Sequence, residues 1–269
     1  MGVIYIGTSG YSFNDWKGTF YPEDIKGNEM LKFYAQYFNI VEINSTYYAI
    51  PKQQLFEKMI EAVPSDFMFT VKANKGMTHE RDNNESVFEQ FENAIRPLVE
   101  AKKLKGILAQ FPWSFKNTEE NKSYLKYCKE LLEQYPLIVE FRNSSWIKEP
   151  VFDLLKELDI SYCVVDEPEL PGLVPSKVIN TNEIGYIRFH GRSAKTWWEG
   201  DSSERYNYLY SEQELKDWIP KIKQLADSTK ETYIFFNNCH AGYAAKNAKM
   251  MQDMLSYDLF ESIDKTEKK

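Results

Sequence analysis

Cysteine is scarce in this chain. The 269 residues hold three, Cys128, Cys163 and Cys239. The number is odd and no CxxC spacing occurs. That argues against a disulfide framework or a cysteine-rich zinc site and fits a reducing, cytoplasmic setting. A basic excess is missing too. The 33 Lys and Arg against 40 Asp and Glu leave a net charge of −7. A long duplex-binding surface needs the opposite balance, so bulk charge speaks against non-specific nucleic-acid binding while leaving room for a local basic pocket. No apolar run approaches the roughly 20 residues of a transmembrane helix. The chain passes directly into Val3-Ile4-Tyr5-Ile6 without a basic n-region or cleavage signature, so no membrane partner is expected.

What the sequence does have is alternation. Eight short runs rich in Val, Ile, Phe or Tyr read as strands: Val3–Gly7, Ile40–Asn44, Phe67–Lys72, Gly106–Gln110, Leu137–Phe141, Ser161–Asp166, Gly185–His190 and Thr232–Asn237. Near-continuous apolarity suits parallel strands buried on both faces. Amphipathic segments lie between them, at Glu29–Phe38, Gln53–Ala62, Ser86–Ala101, Thr118–Gln134, Pro150–Leu158, Glu212–Leu225 and Ala241–Leu255. Thr118-Glu119-Glu120 and Ser211-Glu212-Gln213-Glu214 supply N-terminal capping chemistry. Glu167–Glu183, with Pro168, Pro171, Gly172 and Pro175, shows little helical period. The pattern predicts an α/β fold: a single (β/α)8 TIM-like barrel over residues 1–260 with an irregular sixth crossover, then a frayed tail over residues 261–269. An open doubly wound sheet competes, but no Gly-rich phosphate fingerprint follows the first strand.

Each run begins apolar and ends polar. Glu42 and Asn44 close the second, Lys72 the third, Gln110 the fourth, Glu140 and Arg142 the fifth, and Asp166 the sixth. Arg188, His190 and Arg192 close the seventh, and Asn237 and Asn238 the eighth. Side chains alternate faces with period two. Polar pairs such as Glu42 with Asn44, or Arg188 with His190, therefore point into the barrel near its C-terminal mouth, where barrel enzymes keep their active sites. Glu42, Glu140 and Arg188 lie one step deeper than the tips and equally fit a buried, mutually paired charge layer. Lys72, Arg142, Arg188 and Arg192, with His79 and His190, would focus an anionic ligand. The competing expectation is that cations and carboxylates cancel in pairs. A divalent metal on Glu42, Glu140, Asp166 and His190 is a minor alternative. No HxH or HExxH spacing supports it and the nearby cations oppose it, so no cofactor is expected. Aromatic residues follow the strands in the loops, among them Tyr11, Trp16, Tyr47, Tyr48, Trp113, Phe115, Trp146, Trp197 and Trp198; flat amphipathic rings suit sugars or nucleobases. Cys239 beside His240 is no evidence of a Cys-His dyad, because such pairs meet in space rather than in sequence.

The strand-end segments also resemble a known family. Gly7-Thr8-Ser9-Gly10-Tyr11-Ser12, Val41-Glu42-Ile43-Asn44-Ser45-Thr46-Tyr47-Tyr48, Thr78-His79, Gln110-Phe111-Pro112-Trp113-Ser114-Phe115, Glu140-Phe141-Arg142-Asn143-Ser144-Ser145-Trp146, Arg188-Phe189-His190-Gly191-Arg192 and Phe236-Asn237-Asn238 carry the likeness. Together they are similar to the YecE-like family, a domain of unknown function, from Gly7 to about Ala248. The resemblance implies a barrel and no established substrate. Cys239-His240-Ala241 and the loop from Lys195 to Tyr206 look less typical of the family. The family barrel looks similar to those of sugar isomerases and of the endonuclease IV type, which use metal ions, but their ligand spacings do not match this chain.

Three functions stay open. The first is an enzyme acting on a small polar anionic ligand, such as a phosphorylated sugar or nucleotide derivative. Glu42 or Glu140 would be its acid or base, His190 would shuttle protons, and Lys72, Arg142 and Arg192 would stabilise negative charge. Ser9, Tyr11, Asn44, Tyr47, His79, Gln110, Trp146, Asp166, Arg188, Asn237 and Asn238 would line its binding site. The second is a nucleic-acid-binding or repair protein, and the third a non-catalytic ligand-binding barrel. Oligomeric state is not readable, nor is whether Lys195–Tyr208 closes as a lid.

Overall fold

Runs of Val, Ile, Phe and Tyr with no polar face must be covered on both sides, and parallel strands ringed by helices satisfy that demand. In the computed structural model, which describes residues 1–198 and 202–267, eight such strands form one parallel sheet. They are β1 Val3–Thr8, β2 Ile40–Ile43, β3 Met68–Lys72, β4 Leu104–Gln110, β5 Leu137–Glu140, β6 Ile160–Asp166, β7 Ile184–Phe189 and β8 Glu231–Phe236. Their order is β1-β8-β7-β6-β5-β4-β3-β2. Only strand ends differ from the sequence expectation, by one or two residues, and the architecture is a nearly closed (β/α)8 barrel.

The crossover helices follow their local chemistry. Thr118 caps Glu119–Leu131 by accepting from the Asn121 amide, and Ser211 with Glu214 forms a reciprocal capping box. The expected single helix over Glu212–Leu225 is instead two, Glu212–Lys216 and Ile219–Asp227. Pro220 accounts for the break: it has no N–H to continue the first helix and sits in the first turn of the second. The sixth crossover carries no helix between Asp166 and Ile184. The last helix, Tyr243–Glu267, packs on β1 and β8 and runs through the segment expected to fray; Lys268 and Lys269 lie outside the described residues. No helix among the described residues is long and apolar enough to cross a membrane. All three cysteines are free thiols.

The cylinder is unevenly closed. β1 pairs with β8 along its full length, from Val3 opposite Glu231 to Thr8 opposite Phe236. Toward β2 it makes a single bridge, Ser9 to Glu42, with the Gly10 amide donating to the Glu42 carbonyl at 2.8 Å. Below that bridge the wholly buried Tyr34 phenol joins the two strands. It accepts from the Thr8 amide at 2.9 Å and donates to the Ile40 carbonyl at 3.1 Å. Gly7 allows this approach, since a Cβ there would sit 2.3 Å from the Ile40 carbonyl oxygen. Tyr34→Phe leaves a buried N–H and C=O unpartnered, and its denaturant midpoint should fall by the equivalent of about 1–3 kcal/mol. An unchanged midpoint would show that the phenol does not hold the seam.

Candidate functional site

The inward face of each strand is set by parity. Tyr186 and Arg188 of β7 share the inward face, and so do Thr70 and Lys72 of β3. Arg188 reaches across the interior. Its Nη2 meets Glu42 Oε1 of β2 at 2.6 Å and Ser9 Oγ at 3.2 Å, while its Nη1 meets Glu140 Oε2 of β5 at 2.6 Å. Glu42 also accepts from the Tyr186 phenol at 2.7 Å, and that phenol lies 3.0 Å from Thr70 Oγ1. Glu42, Glu140 and Arg188 are wholly buried. Of the two readings left open by the sequence, this geometry is that of a paired charge layer. Burial pushes Glu140 upward, but Arg142 and Arg188 outweigh it and hold its carboxyl well below the usual range. The two carboxylates likewise hold Arg188 well above its ordinary value against burial.

A second tier sits above this layer. Arg142 Nε donates to Glu140 Oε1 at 2.5 Å, and Arg142 Nη1 lies 3.3 Å from Glu167 Oε2. His190 Nε2 lies 3.2 Å from Glu140 Oε1 and its Nδ1 lies 3.0 Å from Asn237 Nδ2. Arg142 Nη2 also stands 3.2 Å from His190 Nε2, so the ring bridges Arg142, Glu140 and Asn237. Burial and the Arg142 charge push His190 down to about 3, so it is neutral at physiological pH. Lys72 Nζ donates to Gln110 Oε1 at 2.9 Å and stands 4.5 Å from the centre of the Tyr47 ring. The other side of this corner is His79, its ring 5.1 Å from Tyr47. Burial, with Lys72 and Arg142 adding to it, lowers His79 to about 4. Burial and the Arg188 charge bring Lys72 down to about 7, Glu140 and Glu42 offsetting part of the shift. Burial raises Glu167 to about 7 against the pull of Arg142.

Most of the expected site residues thus meet at one rim, but several do not. Asp166 faces outward. Its carboxylate accepts from Arg192 Nε and Nη2 at 2.9 and 2.6 Å, Tyr210 at 2.7 Å and Trp218 Nε1 at 2.7 Å. Arg192 is thereby tied to Asp166, and to Glu214 at 3.2 Å, outside the barrel. Asn238 is also on the outer face, donating to the Tyr208 carbonyl and to Asn247 Oδ1. Trp146 is wholly buried, stacked on Phe141 at 4.4 Å and Phe115 at 5.2 Å, so packing takes the faces a ligand would need. Tyr11 lies half-buried against Tyr34, on the first loop. Asn44 comes two residues after Glu42, and its Oδ1 is buried without a partner. Glu167 is the functional candidate that sequence reasoning missed. Cys163 Sγ faces Glu140 at 3.9 Å, so period two from Cys163 through Val165 puts Glu167, and not Asp166, on the inner face. Of the Lys195–Tyr208 segment, Trp197 stacks 5.9 Å from the Arg142 guanidinium and the Tyr206 ring lies 6.1 Å from that of His190; residues 199–201 lie outside the described residues.

Glu42, Glu140, Asp166 and His190 do not converge as a ligand set for a divalent metal. Among the described residues no group of three or more His, Cys, Asp or Glu could hold one. The Arg188 guanidinium fills the space between Glu42 and Glu140 that such an ion would need, and Asp166 points away.

The fold and this tiered interior define a (β/α)8 barrel with a polar, partly titratable site at the C-terminal ends of its strands. The chain belongs to the DUF72 family, described as "Protein of unknown function DUF72", whose pattern matches residues 5–268. It is 34% identical to the UPF0759 protein YunF of Bacillus subtilis (strain 168), over 95% of this chain and 96% of that protein. Among crystal structures, it is similar to a DUF72 family protein of Thermotoga maritima MSB8, with 45% identity and a TM-score of 0.88 over 94% of this chain and 99% of that one. Another DUF72 family protein, from Enterococcus faecalis V583, superposes with a TM-score of 0.84 at 31% identity, over 94% of this chain and 96% of that one.

Two stability experiments follow from the charge tiers. Arg188→Met strands two buried carboxylates and should cost about 3–5 kcal/mol. Adding Glu42→Gln should recover part of that loss, although Glu42→Gln alone is destabilising; additive losses in this double-mutant cycle would deny the coupling. For Lys72 the slope with pH has the same sign as for a paired carboxylate, because folding lowers both values, but here the charged form is the one that burial penalises. Its folded value of about 7 is below its ordinary value, so between the two the folded state binds fewer protons than the unfolded one. Wild-type stability then rises with pH from about 7 toward the ordinary lysine value of about 10.4. Lys72→Met should be more stable than wild type at pH 6, with the gap closing by pH 10; a pH-independent difference would contradict the shift.

Proposed function

We propose that this chain, of YecE-like type within its family, is an enzyme acting on a small polar anionic ligand, of the phosphorylated-sugar or nucleotide-like kind, at the C-terminal mouth of its barrel. The observation that carries the reading is the state of Lys72. The contacts of its ammonium are an amide oxygen and an aromatic face, with no carboxylate in ion-pair distance among the described residues. The other cations of the interior are engaged, Arg188 by Glu42 and Glu140 and Arg142 by Glu140 and Glu167. A half-buried cation of this kind favours an anionic partner over a neutral one. Asn44 Oδ1, two residues beyond Glu42, is a buried acceptor without a partner and is open to a hydroxyl or amine donor.

The chemistry follows from which groups titrate near neutrality. Lys72 and Glu167 both do, which suits general acid–base catalysis. Glu140 and Arg188 are wholly buried and paired with each other, and His190 is neutral, so these three serve to position Arg142 and the rim. Proton transfer of this type is common to isomerases, lyases and hydrolases, and it needs no cofactor. A second reading, nucleic-acid binding, is favoured by one observation. Trp113 and Trp198 are exposed at 41% and 52%, form a T-shaped pair at 5.9 Å, and Lys116 stands 5.2 Å from the Trp113 ring.

A thermal-shift screen of phosphorylated sugars and nucleotides against their dephosphorylated counterparts tests the first reading. Phosphorylated compounds should raise Tm selectively. Lys72→Met should weaken them about tenfold or more, the effect of losing a hydrogen bond to a charged group (~1.5–3 kcal/mol). Equal shifts with and without Lys72 would remove the anion argument. Salt-sensitive binding of single-stranded DNA that is lost in Trp113→Ala would favour the second reading instead.

A further inference from the structure

We propose that Lys72 is an amine nucleophile that forms a Schiff base with an aldehyde or ketone group of the ligand bound in the mouth. The proposal rests on the preceding reading of the mouth as a ligand site and names the reactive class of the substrate.

Position comes first. Lys72 is the last residue of β3, on the inward face at the C-terminal end, and it remains partly accessible. Its amine is aimed by two contacts, Gln110 Oε1 at 2.9 Å and the Tyr47 face at 4.5 Å. A carboxylate in contact would hold the amine as an ammonium, and none among the described residues does. The groups that reach it electrostatically come from four directions: Arg188 on β7, Glu140 and Arg142 at β5, Glu42 on β2, and His79 beyond β3. Burial and the neighbouring guanidinium groups bring the amine to about 7, so neutral amine and ammonium coexist near neutrality. Desolvation together with a nearby cation is the arrangement that activates a lysine as a nucleophile. A lysine meant only to fix structure would gain by pairing, and acceptable carboxylates stand one tier below, already engaged with Arg188.

The step balances without a co-reactant. The Nζ lone pair adds to the carbonyl carbon, the C–N bond forms, and the C=O π pair moves to oxygen. A proton passes from nitrogen to that oxygen to give the carbinolamine. Uptake of one proton by the hydroxyl breaks the C–O bond and releases water, and the nitrogen lone pair forms the C=N bond of the iminium ion.

The test is reductive trapping on the full chain. The protein is incubated at pH 7 with glycolaldehyde phosphate and cyanoborohydride, and each lysine is quantified by peptide mass spectrometry. Lys72 should be labelled on the order of tenfold or more faster than any surface lysine, whose ordinary pKa near 10.4 leaves less than about 0.1% of the amine neutral at pH 7. Because the comparison is made within wild type, it does not depend on a variant folding; Lys72→Arg, if folded, should lose the fast site alone. Labelling spread over surface lysines with Lys72 no faster than the rest overturns the proposal. If the same compound still raises Tm, the Schiff base fails while the anion site stands. If it gives neither shift nor label, both readings fall.

Discussion

The interior of this barrel is organised by one guanidinium. Arg188 stands between Glu42 and Glu140, carboxylates from strands on different sides of the cylinder, and touches both at 2.6 Å. Three unlike strands are thereby tied at one level by charge where most barrels of this kind use branched apolar side chains. Everything above that level inherits its geometry. Glu140 orients Arg142 and His190, Arg142 reaches Glu167 and lies under Trp197, and the positive field of both arginines reaches Lys72. A buried triad of this kind is a weak source of stability, since desolvation opposes the attraction. Its evident product is placement: a rim on which Lys72 and Glu167 are both brought to about 7.

Much of the fold was legible because barrel strands obey two simple rules. Double-sided burial makes them apolar throughout, and the active end makes their last residues polar. Lys72, Gln110, Glu140 and His190 followed from those rules without further information. The failures are equally physical. Asp166 and Glu167 are adjacent acids at a strand end, and only the phase of the alternation distinguishes the outward one from the inward one. Asp166 and Asn238 have the composition of ligand contacts, yet each answers a demand from outside the cylinder, Asp166 from Tyr210, Trp218 and Arg192, and Asn238 from Asn247. Trp146 shows the same ambiguity in aromatic form, because a loop indole can equally serve a sugar or the packing of Phe115 and Phe141. The Tyr34 seam could not be read at all, since nothing in a helical periodicity tells that one of its phenols completes a sheet.

The family context and the local geometry answer different questions. Membership in DUF72, and the likeness to the Thermotoga and Enterococcus proteins, confirm the architecture over nearly the whole chain. They are silent on chemistry, which must be argued from side chains. Lys72, Glu167 and Asn44 stand out in that argument because each departs from the arrangement that stability alone would favour: an amine with no carboxylate partner, a buried acid raised toward neutrality, and an acceptor with nothing to accept.

The uneven closure of the cylinder has a bearing on how the chain comes into being. β1 is made first, yet its full ladder is with β8, and toward its neighbour in sequence it has one bridge and a borrowed phenol. During synthesis the opening strand therefore emerges without the partner it needs, and more than two hundred residues must follow before Glu231–Phe236 leaves the ribosome. Until then an apolar edge is available to any passing chain. The nascent protein has every reason to keep Val3–Thr8 shielded, by a chaperone or by its own unfinished arc of strands, until the last strand arrives to receive it.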